Sequence, residues 1–414
     1  MSTAPVFEID LQQFWLDPYP ALRDMRAKAP IAFVPQLGAT LLTRRDDVNA
    51  CEKHVEVFSS HQPGGLMNRL MGHNLMRKDG AEHAAERQAL FPSVNPVTVR
   101  DVWRARFQAH VDRILDDLTP RAGADLVRDY AMAVSAEALK EITGLTSARY
   151  EDMDAWSQGM IDGIANYAGD PGVEERCHRA TAAIDDCISQ MIPILDAAPN
   201  SSMLSVLRRS GMPDDSVRAN IKLAISGGQN EPRDVIAGMV WALLEHPDQA
   251  EAVMSGEVSW QRAFEEYVRW MSPIGMSPRR IAKAHEYGGV RFEPDERIFL
   301  MFSSANRDEA HYDAPERFDV RRGPVRHVAF GAGPHFCAGA AASKVLIAEV
   351  AVPSLLQRLP GLRLAGEVPF GGWAFRGPLR MPVSWSPTRP AMPPVGGQAV
   401  PGRPGPAVNG EHVG

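Results

Sequence analysis

The chain has 414 residues, 44% of them hydrophobic and 23% charged, with a formal charge of −7. That balance supports a substantial core, holds too few apolar residues for a membrane protein, and argues against a nucleic-acid partner. Cysteines occur only at 51, 177, 187 and 337, too few and too scattered for a disulfide framework.

The N-terminus, Met1-Ser2-Thr3-Ala4-Pro5, lacks the basic and apolar regions of a signal peptide, and no apolar run reaches bilayer length. The expectation is therefore a cytoplasmic protein that does not enter a membrane. Residues 31–43 carry short apolar runs around Gly38 and predict a hairpin. Most of 97–260 reads as helix. Trp103, Phe107, Val111, Ile114, Leu115 and Leu118 follow helical spacing and are expected in the core. Gly288-Gly289 and Gly371-Gly372 each sit between extended segments and predict two later hairpins. No linker-like break interrupts residues 20–385. The expectation is one mainly α domain over 1–386 with small peripheral sheets, and a disordered Pro/Gly-rich tail over 387–414.

One segment carries the chemistry. Phe330-Gly331-Ala332-Gly333-Pro334-His335-Phe336-Cys337-Ala338-Gly339 places a lone cysteine in a glycine-rich loop ahead of a small-residue helix. Unpaired N–H groups and the positive helix end at that point favour a thiolate. The bare glycines let a flat group approach the backbone. An anionic sulfur under a planar partner is what a haem-thiolate centre requires. No Cys-x-x-Cys-His occurs, so a haem would be held without covalent attachment.

The pattern Phe-Gly-x-Gly-x-His-x-Cys-x-Gly resembles the haem-binding signature of the cytochrome P450 family. The resemblance extends over about residues 15–385. It implies the P450 fold and haem b, with Cys337 as axial thiolate ligand to the iron. Phe330, Gly331 and Gly339 belong to the same loop. His83 and Arg87 match a His-x-x-x-Arg motif, and Arg280 precedes Ile281-Ala282. With His335, these are the residues that the resemblance assigns to the haem propionates. Glu266-x-x-Arg269 and Pro315-Glu316-Arg317-Phe318 match the family's structural network, in which an arginine at the position of 317 joins the pair.

The oxygen side departs from the family. Where an acid and a threonine are usual, counting back from Pro247 gives Asn230 and Glu231, followed by Pro232. Two readings stay open. Either Gly227-Gly228 ends one helix and Asn230, as cap, starts the next, or one helix runs through a kink. Glu231 then stands at the proton-delivery position with Asn230 beside it, provided burial raises its pKa. A glutamate there also suits hydrogen peroxide as oxidant in place of dioxygen and electrons.

The carboxamide–Glu–Pro run is similar to a bacterial branch that O-demethylates lignin-derived methoxyaromatics. That similarity implies a small apolar or aromatic substrate in a pocket of Gly227, Ile274 and Phe375. Ile164 stands where the branch has a phenylalanine, and residues 61–77 hold Leu and Met but no aromatic. The alternatives are a biosynthetic P450 acting on a natural product, and a haem sensor without turnover. The length leaves no room for a reductase domain, so a separate ferredoxin or flavin/iron–sulfur reductase is the expected electron donor. Arg100, Arg104, Arg321, Arg322 and Arg326 are candidates for its docking face.

Overall fold

The computed structural model describes residues 2–166, 169–324 and 326–386. The expected tail, 387–414, lies outside the described residues. Helices dominate, with small sheets at the periphery. The largest core joins the Arg104–Leu118 helix to those at Met132–Thr143, Asn230–Glu245 and Trp260–Trp270. All six residues expected from the helical spacing between 103 and 118 are buried there. Each such side chain contributes about 1.5–3 kcal/mol on leaving water.

Local chemistry sets several helix starts. The Asn95 side chain accepts from the N–H groups of Val97 and Thr98, with Pro96 in the first turn. Ser259 caps the 260–270 helix by accepting from Arg262 N–H. A close crossing follows at Gly238, where a Cβ would lie 1.7 Å from the Tyr267 hydroxyl. Any side chain at 238 would force the 230–245 and 260–270 helices apart.

The main sheet has five strands in the order Ile31–Val34, Ala39–Leu42, Arg297–Leu300, Ser277–Ile281, Phe58–Ser59. The first two form the expected hairpin, turning at Gly38 with φ +57°. Ala39–Leu42 runs parallel to Arg297–Leu300, and Ser59 lies opposite Arg280. The hairpin at Gly288-Gly289 is present between His285–Tyr287 and Val290–Phe292. The third differs in register. Gly371 is itself a strand residue paired with Gly377, so the chain turns over 372–376. A Cβ at Gly371 would strike the Trp15 ring at 2.5 Å, so this glycine serves packing and not the turn.

The helix after the cysteine begins at Ala340, not Ala338, and runs to Arg358. By length and composition it is apolar enough to cross a membrane, contrary to the expectation from the sequence. Its apolar residues Leu346, Ile347, Val350 and Leu355 are buried in the main core, which accounts for the pattern.

Candidate active site

Two structural faces meet in the interior. The first is the cysteine loop. Gly331 and Gly333 take φ +70° and +62°, and a Cβ at Gly333 would lie 2.7 Å from the Glu52 carbonyl oxygen. The loop is closed by Cys337 N–H donating to the Phe330 carbonyl at 2.8 Å. Gly339 has ordinary backbone geometry, and the nearest atom to a Cβ there would be Cys337 Sγ at 3.9 Å. The Phe330 ring lies 6.1 Å from Phe264 and 6.3 Å from Phe336.

Burial raises the Cys337 thiol pKa, against the N–H groups of Gly339 and Ala340 and the charge of Arg87. The expected local acidification is thus present but outweighed. Desolvation in the interior exceeds what two backbone donors and one cation return.

A platform missed by sequence reasoning lies beneath this loop. Glu52 is buried, receives Arg279 Nη2 at 2.5 Å on one oxygen, and accepts Ala332 N–H at 3.3 Å on the other. Nothing local in the sequence marks Glu52, because Arg279 lies 227 positions away.

At the loop edge, His83 and His335 approach to 4.2 Å between ring centroids. His335 Nε2 lies 2.9 Å from Asp79 Oδ1, and Asp79 also accepts from Ser59 Oγ and the N–H of Ser60. These partners hold Asp79 at about 2 against its burial. Burial first, then His335 and Arg87, push His83 down to about 4. His83 Nε2 is buried with no hydrogen-bond partner, and Arg87 donates to the Phe336 carbonyl. Arg280, opposite Ser59, lies at the same sheet edge, but its guanidinium is taken by Asp295 at 2.6 Å and the His61 carbonyl at 2.9 Å.

The second face is the break between the Asp214–Ser226 and Asn230–Glu245 helices. The structure favours the two-helix reading. Asn230 is not the cap, however, because it is already helical and Gln229 precedes it without a side-chain capping bond. The Asn230 amide instead donates to Gln158 at 3.4 Å, and its Oδ1 is unpartnered. The Gln229 carbonyl is held by Ser135 Oγ at 2.7 Å. Gly228 is required by packing, since a Cβ would lie 2.5 Å from the Ala224 carbonyl oxygen, while a Cβ at Gly227 would make only ordinary contact, 3.5 Å from the Leu223 carbonyl oxygen.

Glu231 projects from the first turn with both carboxylate oxygens buried and unpartnered. Burial pushes it up to about 7, with Asp234 adding to the shift. Its charge also opposes ionisation of Cys337, so the two groups sense one another across the interior. A cavity of about 30 Å³ is lined by Glu231, Pro232, Phe264, Val268, Ala329 and Phe330 among others, enough for a water.

The substrate-side residues separate. Ile274 and Phe375 meet as an antiparallel backbone bridge. Ile164 ends the Tyr150–Ile164 helix and packs with the cluster containing Met67, Leu70 and Met71, whereas Ile274 packs against the cluster of the main sheet.

The structural network around Glu266 also differs from expectation. Arg269 makes a bidentate pair with Glu266 at 2.7 and 2.8 Å, but Arg317 is exposed and supplies only its main-chain carbonyl. Arg322 Nε takes the third place at 3.2 Å from Glu266. The turn between 313 and 322 brings Arg322 back over the pair, held by the carbonyls of Asp313 and Ala314. Four of the cations proposed for docking have acidic partners: Arg100 with Asp101, Arg104 with Glu349, Arg321 with Glu257 and Arg322 with Glu266.

The pieces fit a planar, dianionic, iron-bearing group. The N–H groups of Gly339 and Ala340 and the charge of Arg87 favour the Cys337 thiolate, while His83, Arg87 and His335 gather at one rim with an orphaned ring nitrogen.

Comparison with known proteins agrees. A family profile described as Cytochrome P450 matches residues 260–359. The steroid C26-monooxygenase of Mycolicibacterium smegmatis is 28% identical, over 95% of this chain and 99% of that protein. The polyketide biosynthesis cytochrome P450 PksS of Bacillus subtilis is 24% identical over 91% of this chain and 97% of its own. The crystal structure of CalO2 superposes with a TM-score of 0.84 at 23% identity, covering 92% of this chain and all of that one.

Proposed function

The chain belongs to the cytochrome P450 superfamily and is a haem-thiolate monooxygenase, and from that premise we propose that it oxidises a lipophilic natural product or steroid-like molecule. The observation that carries this choice is the character of the full-length relatives, which are named for steroid C26 monooxygenation and for polyketide biosynthesis. The methoxyaromatic reading has weaker support. The 61–77 segment offers Met67, Leu70 and Met71 in place of aromatic caging residues, and methionine adapts to varied shapes.

When bound, the haem supplies the iron centre at which dioxygen is cleaved and one oxygen atom is inserted into substrate. The chain's own residues do the rest. Cys337 would hold the haem iron through its thiolate, which the neighbouring N–H groups of Gly339 and Ala340 favour. The Glu52–Arg279 pair holds the loop through Ala332. His83, Arg87 and His335 would hold the propionates, with Arg280, paired with Asp295 in this structure, at the same sheet edge. Glu231 carries a proton at one carboxyl oxygen near neutral pH and presents it to the oxygen side, with Asn230 beside it. Reducing equivalents would come from a ferredoxin or flavin/iron–sulfur reductase.

A second oxidant is favoured by one specific feature. The unpartnered Glu231 carboxylate is free to take a proton from one peroxide oxygen and return it to the other, so hydrogen peroxide supports turnover.

A ligand-induced spin-shift screen over steroids, macrolide precursors and methoxyaromatics tests the substrate class, with product mass and formaldehyde as readouts. The expected result is binding and hydroxylation of the larger molecules. Formaldehyde from methoxyaromatics, with no shift from the larger set, overturns the proposal. Glu231→Gln is expected to abolish peroxide-driven turnover; retention of it refutes the role of Glu231, and no peroxide-driven turnover in the parent refutes the second oxidant.

A further inference from the structure

Glu231 has no polar contact through which a spent proton is replaced, yet it is not isolated. Asp234 lies three residues on, on the same helix face, where side chains stand about 5–6 Å apart at Cβ. Asp234 is buried, and Gly377 is bare because a Cβ there would lie 2.4 Å from the Asp234 carboxyl carbon. The fold thus reserves space for this carboxyl. Arg233 Nε lies 3.0 Å from Asp234, and its Nη1 lies 3.0 Å from Asp154. Asp154 is about 20% exposed and also accepts from Gln229. A line of groups therefore leads from the surface to the unpartnered glutamate.

We propose that Asp154, Arg233 and Asp234 form the route by which solvent protons reach Glu231, with Asp234 as the last donor. The inference rests on the reading of Glu231 as proton carrier. In the step, the Asp234 O–H bond breaks and a Glu231 O–H bond forms, directly or across one water. Asp234 then recovers its proton from water entering at Asp154. Arg233 remains charged throughout and holds the two aspartates in line, because a guanidinium does not give up its proton. Burial raises Asp234 to about 6 against the pull of Arg233, close enough to Glu231 for exchange in either direction. The other groups facing the pair are Tyr267, with Arg376 near it, and Cys337.

The test follows the Glu231 proton itself. In cofactor-free protein, the infrared band of the protonated Glu231 carboxyl, assigned by its loss in Glu231→Gln, shifts on transfer into D2O at a rate set by its proton supply. Asp234→Asn and Asp154→Asn are expected to slow that shift on the order of tenfold, water leakage preserving the remainder. In the haem-loaded enzyme the same variants lose a similar factor in the fraction of reductant recovered as product, with substrate affinity unchanged. Unaltered exchange in both variants overturns the route. If Asp234→Asn does not fold, Asp154→Asn at the rim decides alone. Absence of any protonated Glu231 band at neutral pH in the parent defeats the reading of Glu231 itself, a separate failure.

Discussion

Replacing Glu52 by glutamine removes the charge beneath the cysteine loop while keeping its shape. Glu52 and Arg279 are both buried, at 2.5 Å, with Arg279 Nε already lacking a partner. Breaking a buried pair on one side costs about 3–5 kcal/mol, because the other charge stays behind. The glutamine carbonyl still accepts one hydrogen bond, from Arg279 or from Ala332 N–H, returning about 1 kcal/mol. The net loss is about 3 kcal/mol. For roughly 400 residues the unfolding entropy is ~0.8 kcal/mol/K, so Tm falls by only about 4 °C. Denaturant midpoints on cofactor-free protein are therefore the better assay, with haem retention as a second readout. Haem retention is expected to fall because Ala332 loses its anchor. The double variant Glu52→Gln/Arg279→Met removes both charges and is expected to recover part of the loss. A single variant within about 0.5 kcal/mol of the parent refutes this account, since that is the range of featureless surface changes.

Three further outcomes follow from the same geometry. Gly333→Ala meets both φ +62° and a contact at 2.7 Å to the Glu52 carbonyl, so it loses more than the ~1–2 kcal/mol of backbone conformation alone, and weaker haem incorporation follows. Arg322→Ala is expected to destabilise by about 1–3 kcal/mol and the exposed Arg317→Ala by less than ~0.5, both measured by urea unfolding. Glu231 ionises near 4.5 when unfolded but at about 7 when folded, so the folded state binds more protons between those values. Stability attributable to it is full below pH 4.5 and falls as pH rises to 7, by at most about 3 kcal/mol and less where cavity water solvates the carboxylate. Glu231→Gln should lack that slope, so the parent's stability relative to the variant falls between pH 4.5 and 7; a difference that does not change with pH contradicts the raised pKa.

Much of this protein was legible in its sequence because the deciding chemistry is local. The cysteine, its glycines and the helix that follows occupy adjacent positions, and their backbone geometry follows from which residues carry a Cβ. The hairpins at Gly38 and Gly288-Gly289 are local in the same sense. The helical spacing from Trp103 to Leu118 marked a core face because periodicity alone decides which side chains share a side. The thiol was only half legible. Its donors are neighbours in sequence, but the burial that raises its pKa comes from the whole fold.

What only the tertiary structure decided is which distant charge meets which. Glu52 finds Arg279, His335 finds Asp79 and Glu266 takes Arg322 in place of Arg317. The Asp154–Arg233–Asp234 line becomes visible only when the 150–164 helix packs beside the break at Gly227-Gly228. A charged side chain has no periodicity to betray its partner. Its pairing is set by where chain segments cross and by the cost of leaving a buried charge alone, and both belong to the folded molecule.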